Sequence, residues 1–164
     1  MLNKKIQDAI NEQIKNELYS AYIYLSMSAY FESMNLAGMA HWMRLQSNEE
    51  VEHAMKFFDY VHDRGGRVTL GAIDQPPTEW KSPLAAFENA YEHEQKVTGM
   101  INNIYALALK ENDYPTQVML QWFIDEQVEE EKNASTIVEQ LKLIGDSTNG
   151  LMMLDHRLGE RNEG

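Results

Sequence analysis

The placement of its four prolines constrains this chain most: Pro76, Pro77, Pro83 and Pro115 all lie at or outside the ends of long periodic segments. Proline inside a helix removes a hydrogen bond and clashes with the preceding turn, so the uninterrupted 3–4 apolar spacing between these points reads as helix. Ser82-Pro83 reads as an N-cap followed by the first helical residue, while Gly65-Gly66 and Gly145 stand where two helices would end. The pattern predicts helices over 4–34, 36–64, 83–111 and 115–144, a short fifth over 147–159, and one long connection over 65–82. Two tight turns and one long crossover describe an all-α, antiparallel four-helix bundle with a short fifth C-terminal helix. Residues 1–145 are expected to form the bundle, and 146–164 a short helix and tail of the same domain. Leu151, Leu154 and Leu158 repeat at 3–4 spacing in that last helix, which is too short to be stable alone and must pack on something.

The inward stripe of each helix carries polar residues at one height. On the first, Ile14, Glu17, Ala21 and Tyr24 follow one another, and on the second Met43, Gln46, Glu50, His53 and Phe57. The third is expected to run Leu84, Phe87, Tyr91, Glu94, Thr98, Ile101, Tyr105 and Ala108, and the fourth Leu120, Phe123, Gln127, Glu130 and Ala134. Glu17 and Glu50 have their midpoint at 33.5, beside the Asn35 turn, and Glu94 pairs with Gln127 about 110.5 and with Glu130 about 112, at the Asn112-Asp113-Tyr114-Pro115 turn. At 1.5 Å rise per residue both sets stand about 24 Å from their turns, so these five, with His53 one turn from Glu50, can meet in one core.

Four carboxylates in an apolar interior repel one another and lose hydration, which is tolerated only if they are protonated, paired or bound to metal. No Lys or Arg lies on these stripes. Two divalent cations would neutralise Glu17, Glu50, Glu94 and Glu130, with His53 and Gln127 as neutral ligands. Oxygen-rich ligation with one imidazole suits iron or manganese. Glu50 and His53 form a Glu-x-x-His unit, which puts two ligands on one helical face. Tyr24, two turns beyond Glu17, stands where it can touch the site, as packing or as an electron donor. His41, His62, His93 and His156 lack such partners and read as surface or packing residues.

Composition narrows the chemistry. The chain has no cysteine, which removes disulfides, thiolate nucleophiles and cysteine-ligated clusters. Its 26 acidic against 14 basic residues give a net charge of -12, the wrong sign for tracking nucleic acid or an anionic membrane. With a charged, amphipathic start and no run long enough to span a bilayer, a cytoplasmic location is expected.

Over nearly its full length the chain resembles a bacterial non-haem ferritin. The segments that carry the resemblance are NELYSAYIYLSMSAYF around Glu17 and Tyr24, SNEEVEHAMKFFDYVHDRGG around Glu50 and His53, YEHE at Glu94, and WFIDEQVEEE from Trp122 to Glu131. The resemblance implies a ferritin-like fold and an iron-storing homo-oligomer of 24 subunits. That shell oxidises Fe(II) with dioxygen or hydrogen peroxide and keeps the product as ferric oxyhydroxide. It implies a di-iron centre in which one iron takes Glu17, Glu50 and His53, with Gln127 nearby, and the second takes Glu50 as a bridge, Glu94 and Glu130. It also implies a third iron site at Glu49, Glu126, Glu129 and Glu130. Val51 stands where haem-containing relatives have a haem-binding methionine, so no haem is expected. Gln127-Val128-Glu129-Glu130 replaces the second Glu-x-x-His of the bacterioferritins and rubrerythrins. Gln117 and Leu120 stand where animal ferritins place channel carboxylates.

Two other classes stay open on the residues alone. A non-storing di-iron or di-manganese oxidase or peroxidase would hold few metal ions per chain, and a purely structural bundle with its acids turned outward would bind none.

Overall fold

The computed structural model describes residues 1–163 and contains five helices: α1 (Lys4–Ser33), α2 (Ala37–Asp63), α3 (Pro83–Lys110), α4 (Tyr114–Ile144) and α5 (Thr148–Leu158). Among the described residues there is no strand, and no helix is long and apolar enough to cross a membrane. α1 and α2 form one antiparallel hairpin and α3 and α4 another. Residues 65–82, without regular structure, carry the chain between them. Both tight turns pass through an asparagine in the left-handed region, Asn35 at φ 61° and Asn112 at φ 53°. Asparagine tolerates that conformation better than most residues with a side chain.

Side chains close the helix ends as the cap signals predict. Asn3 Oδ1 accepts from the Lys5 amide, Ser82 Oγ from Ala85, Asp113 Oδ1 from Thr116 and Ser147 Oγ from Gly150. Because Asp113 is the cap, α4 starts at Tyr114, one residue before the expected Pro115. α2 is the exception. Its N-cap position, Leu36, has no side-chain acceptor, and Asp155 of α5 reaches across to accept from the Met39 amide at 2.8 Å. The contact requires backbone against backbone, since a Cβ at Gly38 would sit 1.7 Å from the Asp155 carbonyl oxygen. Leu154 and Leu158 are buried in the same place, which is what the short helix packs on.

The stripes of α1, α2 and α4 are buried as predicted. That of α3 is half as predicted: Phe87, Glu94, Ile101 and Ala108 are buried, but the rest of the buried face is Ala86, Ala90, Val97 and Ile104, and the expected Leu84, Tyr91, Thr98 and Tyr105 are only half-buried. Both columns run at seven-residue spacing beside Phe87, Glu94, Ile101 and Ala108, and the large tyrosines in the half-buried column disguise which of the two faces the core. Tyrosine at the edge keeps its ring on apolar surface and its hydroxyl near water.

The interior consists of two apolar clusters. One gathers Phe31, Met39, Met43 and Phe87, and the other Ile6, Ile10, Phe57 and Phe123, whose last two rings stack at 4.0 Å. Between them lies a layer of buried polar side chains.

Candidate metal centre

That polar layer contains Glu17, Glu50, His53, Glu94, Gln127 and Glu130, all buried, so the structure brings together the six residues expected to meet there. Each of the four long helices contributes at the same level, as equidistance from the turns requires. Glu17 and Glu94 are 1 % exposed and Glu50 2 %, a setting in which a bare carboxylate is strongly disfavoured.

Oxygen and nitrogen atoms of Glu17, Glu50 and His53 lie within 4.8 Å of one another, and so do atoms of Glu50, Glu94 and Glu130. Glu50 belongs to both groups, the position expected of a bridge. His53 Nδ1 is 3.2 Å from Glu50 Oε2 and 3.9 Å from Glu17 Oε2. Glu17 Oε1 accepts from Gln13 Nε2 at 2.9 Å, while its Oε2 is buried without a hydrogen-bond partner. A cation is the natural partner for such an orphan, because leaving it unpaired costs about 1–3 kcal/mol.

The second group is held by neutral donors. The Tyr24 hydroxyl donates to Glu94 Oε1 at 2.5 Å, Gln127 Nε2 to Glu94 Oε2 at 3.1 Å, and Gln46 Nε2 to Glu130 Oε2. Gln127 therefore stands against Glu94, and its hydrogen bonds reach Thr98 rather than the Glu17–Glu50–His53 group. Gln13 and Gln46 were not singled out as site residues. Gln46 stood on the predicted stripe, whereas Gln13 lies one position off it and shows only as a polar residue one turn before Glu17.

Glu50, Glu94 and Glu130 hold protons more readily than an ordinary glutamate. Burial, with Glu94 and Glu17 alongside, pushes Glu50 well above the usual range. Burial takes Glu130 up to about 9, helped by Glu94 and Glu49 and opposed by the Gln46 hydrogen bond. Glu94 is pushed up to about 7 by burial, with the bonds from Tyr24 and Gln127 pulling the other way. The Tyr24 phenol is raised well above its ordinary value, first by burial and then by Glu94.

The four residues expected at a third site separate. Glu126 and Glu130 converge with His53 to within 4.8 Å, giving a group that shares two members with those inside. Glu49 instead pairs with Arg161 at 3.0 Å, and Glu129 is exposed. All of these residues face a 590 Å³ cavity between α2, α4 and the C-terminal tail. Of the remaining histidines, His41, His62 and His156 are exposed. His93 is half-buried 2.7 Å from Ser20 Oγ, with its pKa lowered to about 4 by burial and by Lys96.

Known proteins resemble the chain along nearly its whole length. The family pattern described as a ferritin-like domain matches residues 7–144. A bacterial non-heme ferritin of Bacteroides fragilis is 45% identical over 161 residues, covering 98% of this chain and 100% of that protein. One of Staphylococcus saprophyticus is 41% identical over 98% of this chain and 96% of its own. Among solved structures, an open pore ferritin from the hyperthermophilic archaeon Archaeoglobus fulgidus superposes with a TM-score of 0.98 at 51% identity, covering 99% of this chain and 100% of that one. With a family pattern spanning all four long helices and relatives matched almost end to end, the chain belongs to the ferritin family.

Proposed function

We propose that this protein stores iron and is a ferroxidase, oxidising Fe(II) with dioxygen at a two-ion centre inside each subunit and keeping the product as ferric oxyhydroxide within a homo-oligomeric shell of 24 subunits in the cytoplasm. The observation that carries the reading is the buried layer in which two groups of ligand atoms share Glu50 and no Lys or Arg neutralises the four carboxylates. In this reading Glu17, Glu50 and His53 take one Fe(II), and Glu50, Glu94 and Glu130 take the other. Gln127 and Tyr24 orient Glu94, with Tyr24 in reach of the site as an electron donor. Dioxygen would take one electron from each Fe(II) and, with two protons, leave as hydrogen peroxide, a transfer that carboxylates favour because they stabilise the ferric charge. The raised affinity of Glu50, Glu94 and Glu130 for protons means that arriving Fe(II) displaces protons from them. Glu126 and Glu130 with His53 provide a third, outer position through which iron leaves the pair, and the expected Glu49 and Glu129 line the same cavity beside it.

A non-storing oxidase or peroxidase finds no support among the relatives, which carry ferritin names. The deciding experiment is aerobic addition of Fe(II) followed by size-exclusion chromatography with iron analysis and light scattering. Many irons per chain co-eluting with a large particle are expected. A few per chain on a monomer or dimer would overturn the storage reading.

A further inference from the structure

We propose that Arg161 is a tethered competitor for the third cation, its guanidinium holding Glu49 and thereby setting how tightly the outer cavity binds metal. The inference rests on the function proposed above and adds a residue that neither helical periodicity nor the family resemblance assigns.

Arg161 follows α5 and is fixed from several sides. Its Nη2 lies 3.0 Å from Glu49 Oε1, its Nη1 donates to the Trp42 carbonyl at 3.2 Å, and its guanidinium carbon stands 4.6 Å from the centre of the Trp42 ring. His41 Nε2 donates to the Arg161 carbonyl at 2.8 Å. Behind it the tail is pinned by the close backbone approach of Gly159 to Gly38 and by buried Leu158. An ion pair with its side chain held in this way has already lost much of the freedom that weakens surface pairs. The other cation of the cavity, Lys56, lies over the Trp122 ring at 3.8 Å.

The consequence follows from chain geometry. Glu50 points into the core while its neighbour Glu49 faces the cavity, where His53, Glu126 and Glu130 converge without it. A divalent ion at that group must either take Glu49 away from Arg161 or bind with one carboxylate fewer beside a fixed positive charge. Both routes weaken the outer position relative to the inner two, as passage of iron onward requires. Arg161 is thus a positioning residue that acts through Glu49.

The test is calorimetric titration of the assembled protein with Zn(II) alone, which cannot be oxidised. Wild type should bind two equivalents tightly and a third weakly. Arg161→Ala should tighten the third roughly tenfold, the size of effect one nearby charge produces, while leaving the first two unchanged. Arg161→Lys, which keeps the charge, should stay near wild type. In a Glu49→Gln background the gain from Arg161→Ala should shrink. A third equivalent unchanged in Arg161→Ala, or a gain undiminished in Glu49→Gln, overturns the competitor role and leaves the two-ion reading standing. Absence of two tight equivalents in wild type overturns both.

Discussion

Tyr24 on α1 and Glu94 on α3, seventy positions apart, are joined by a 2.5 Å hydrogen bond through the middle of the bundle. The phenol is the donor, so the bond favours ionised Glu94 and opposes the effect of burial on it. Tyr24→Phe should therefore bind two metal ions per chain with weaker affinity at neutral pH. The bond lost is charge-assisted, worth about 1.5–3 kcal/mol. Stopped-flow absorbance should show slower initial Fe(II) oxidation, the deficit narrowing as pH rises and Glu94 loses its proton anyway. Equal rates at every pH would reduce Tyr24 to packing.

Glu50 is the shared member of the two inner groups, and its removal should cost more than that of any other ligand. Glu50→Gln conserves volume and deletes a buried negative charge. The apo protein should melt no lower than wild type, while initial oxidation falls by more than about a hundredfold, beyond what loss of a supporting residue costs. Calorimetric melting and stopped-flow measurements decide the matter together. Fast oxidation surviving in this variant would move the site elsewhere.

Apo stability should fall as the solution becomes more alkaline. Glu94 and Glu130 titrate at about 7 and about 9 in the folded chain, against 4.5 for an ordinary glutamate. Between those values the folded state binds more protons than the unfolded one, so stability declines as pH rises. It is highest below the ordinary value and is lost progressively up to about 9. Thermal melts of metal-free protein should show this decline, and saturating Zn(II) should flatten it by replacing the protons. A metal-free melting temperature that rises over the same window would contradict the burial of these groups.

Asp155 closes the one long-helix N-terminus that has no side-chain cap of its own. Asp155→Ala should lower stability by about 1–2 kcal/mol, as loss of a cap does, with little change in the first two metal equivalents. Gly38→Ala should cost more, since its Cβ would collide with the Asp155 backbone. Chemical denaturation of both variants provides the check.

The parts of this molecule that were legible in the sequence are those governed by local rules. Prolines, caps and glycines placed the helix ends to within a residue or so. Distance from two turns alone puts Glu17, Glu50, Glu94, Gln127 and Glu130 at one level. The face of α3 was misjudged because Tyr91 and Tyr105 are larger than Ala90 and comparable with Ile104, and periodicity cannot distinguish adjacent columns of a long helix. Gln13, Asp155 and Arg161 were missed because their partners lie on other turns or elements. Nothing near Arg161 in sequence announces that Glu49, more than a hundred residues earlier, will stand beside it.

The three ligand groups of the centre involve only six residues. Glu50 is common to the first and second, Glu130 to the second and third, and His53 to the first and third. Such an arrangement has no independent vacancies: an ion seated in any group borrows a side chain from each of the other two. On the proposed reading, loading is then a matter of turns rather than of capacity, since an ion at the outer group calls on side chains that also serve those inside. A subunit built this way is suited less to possessing metal than to handing it on.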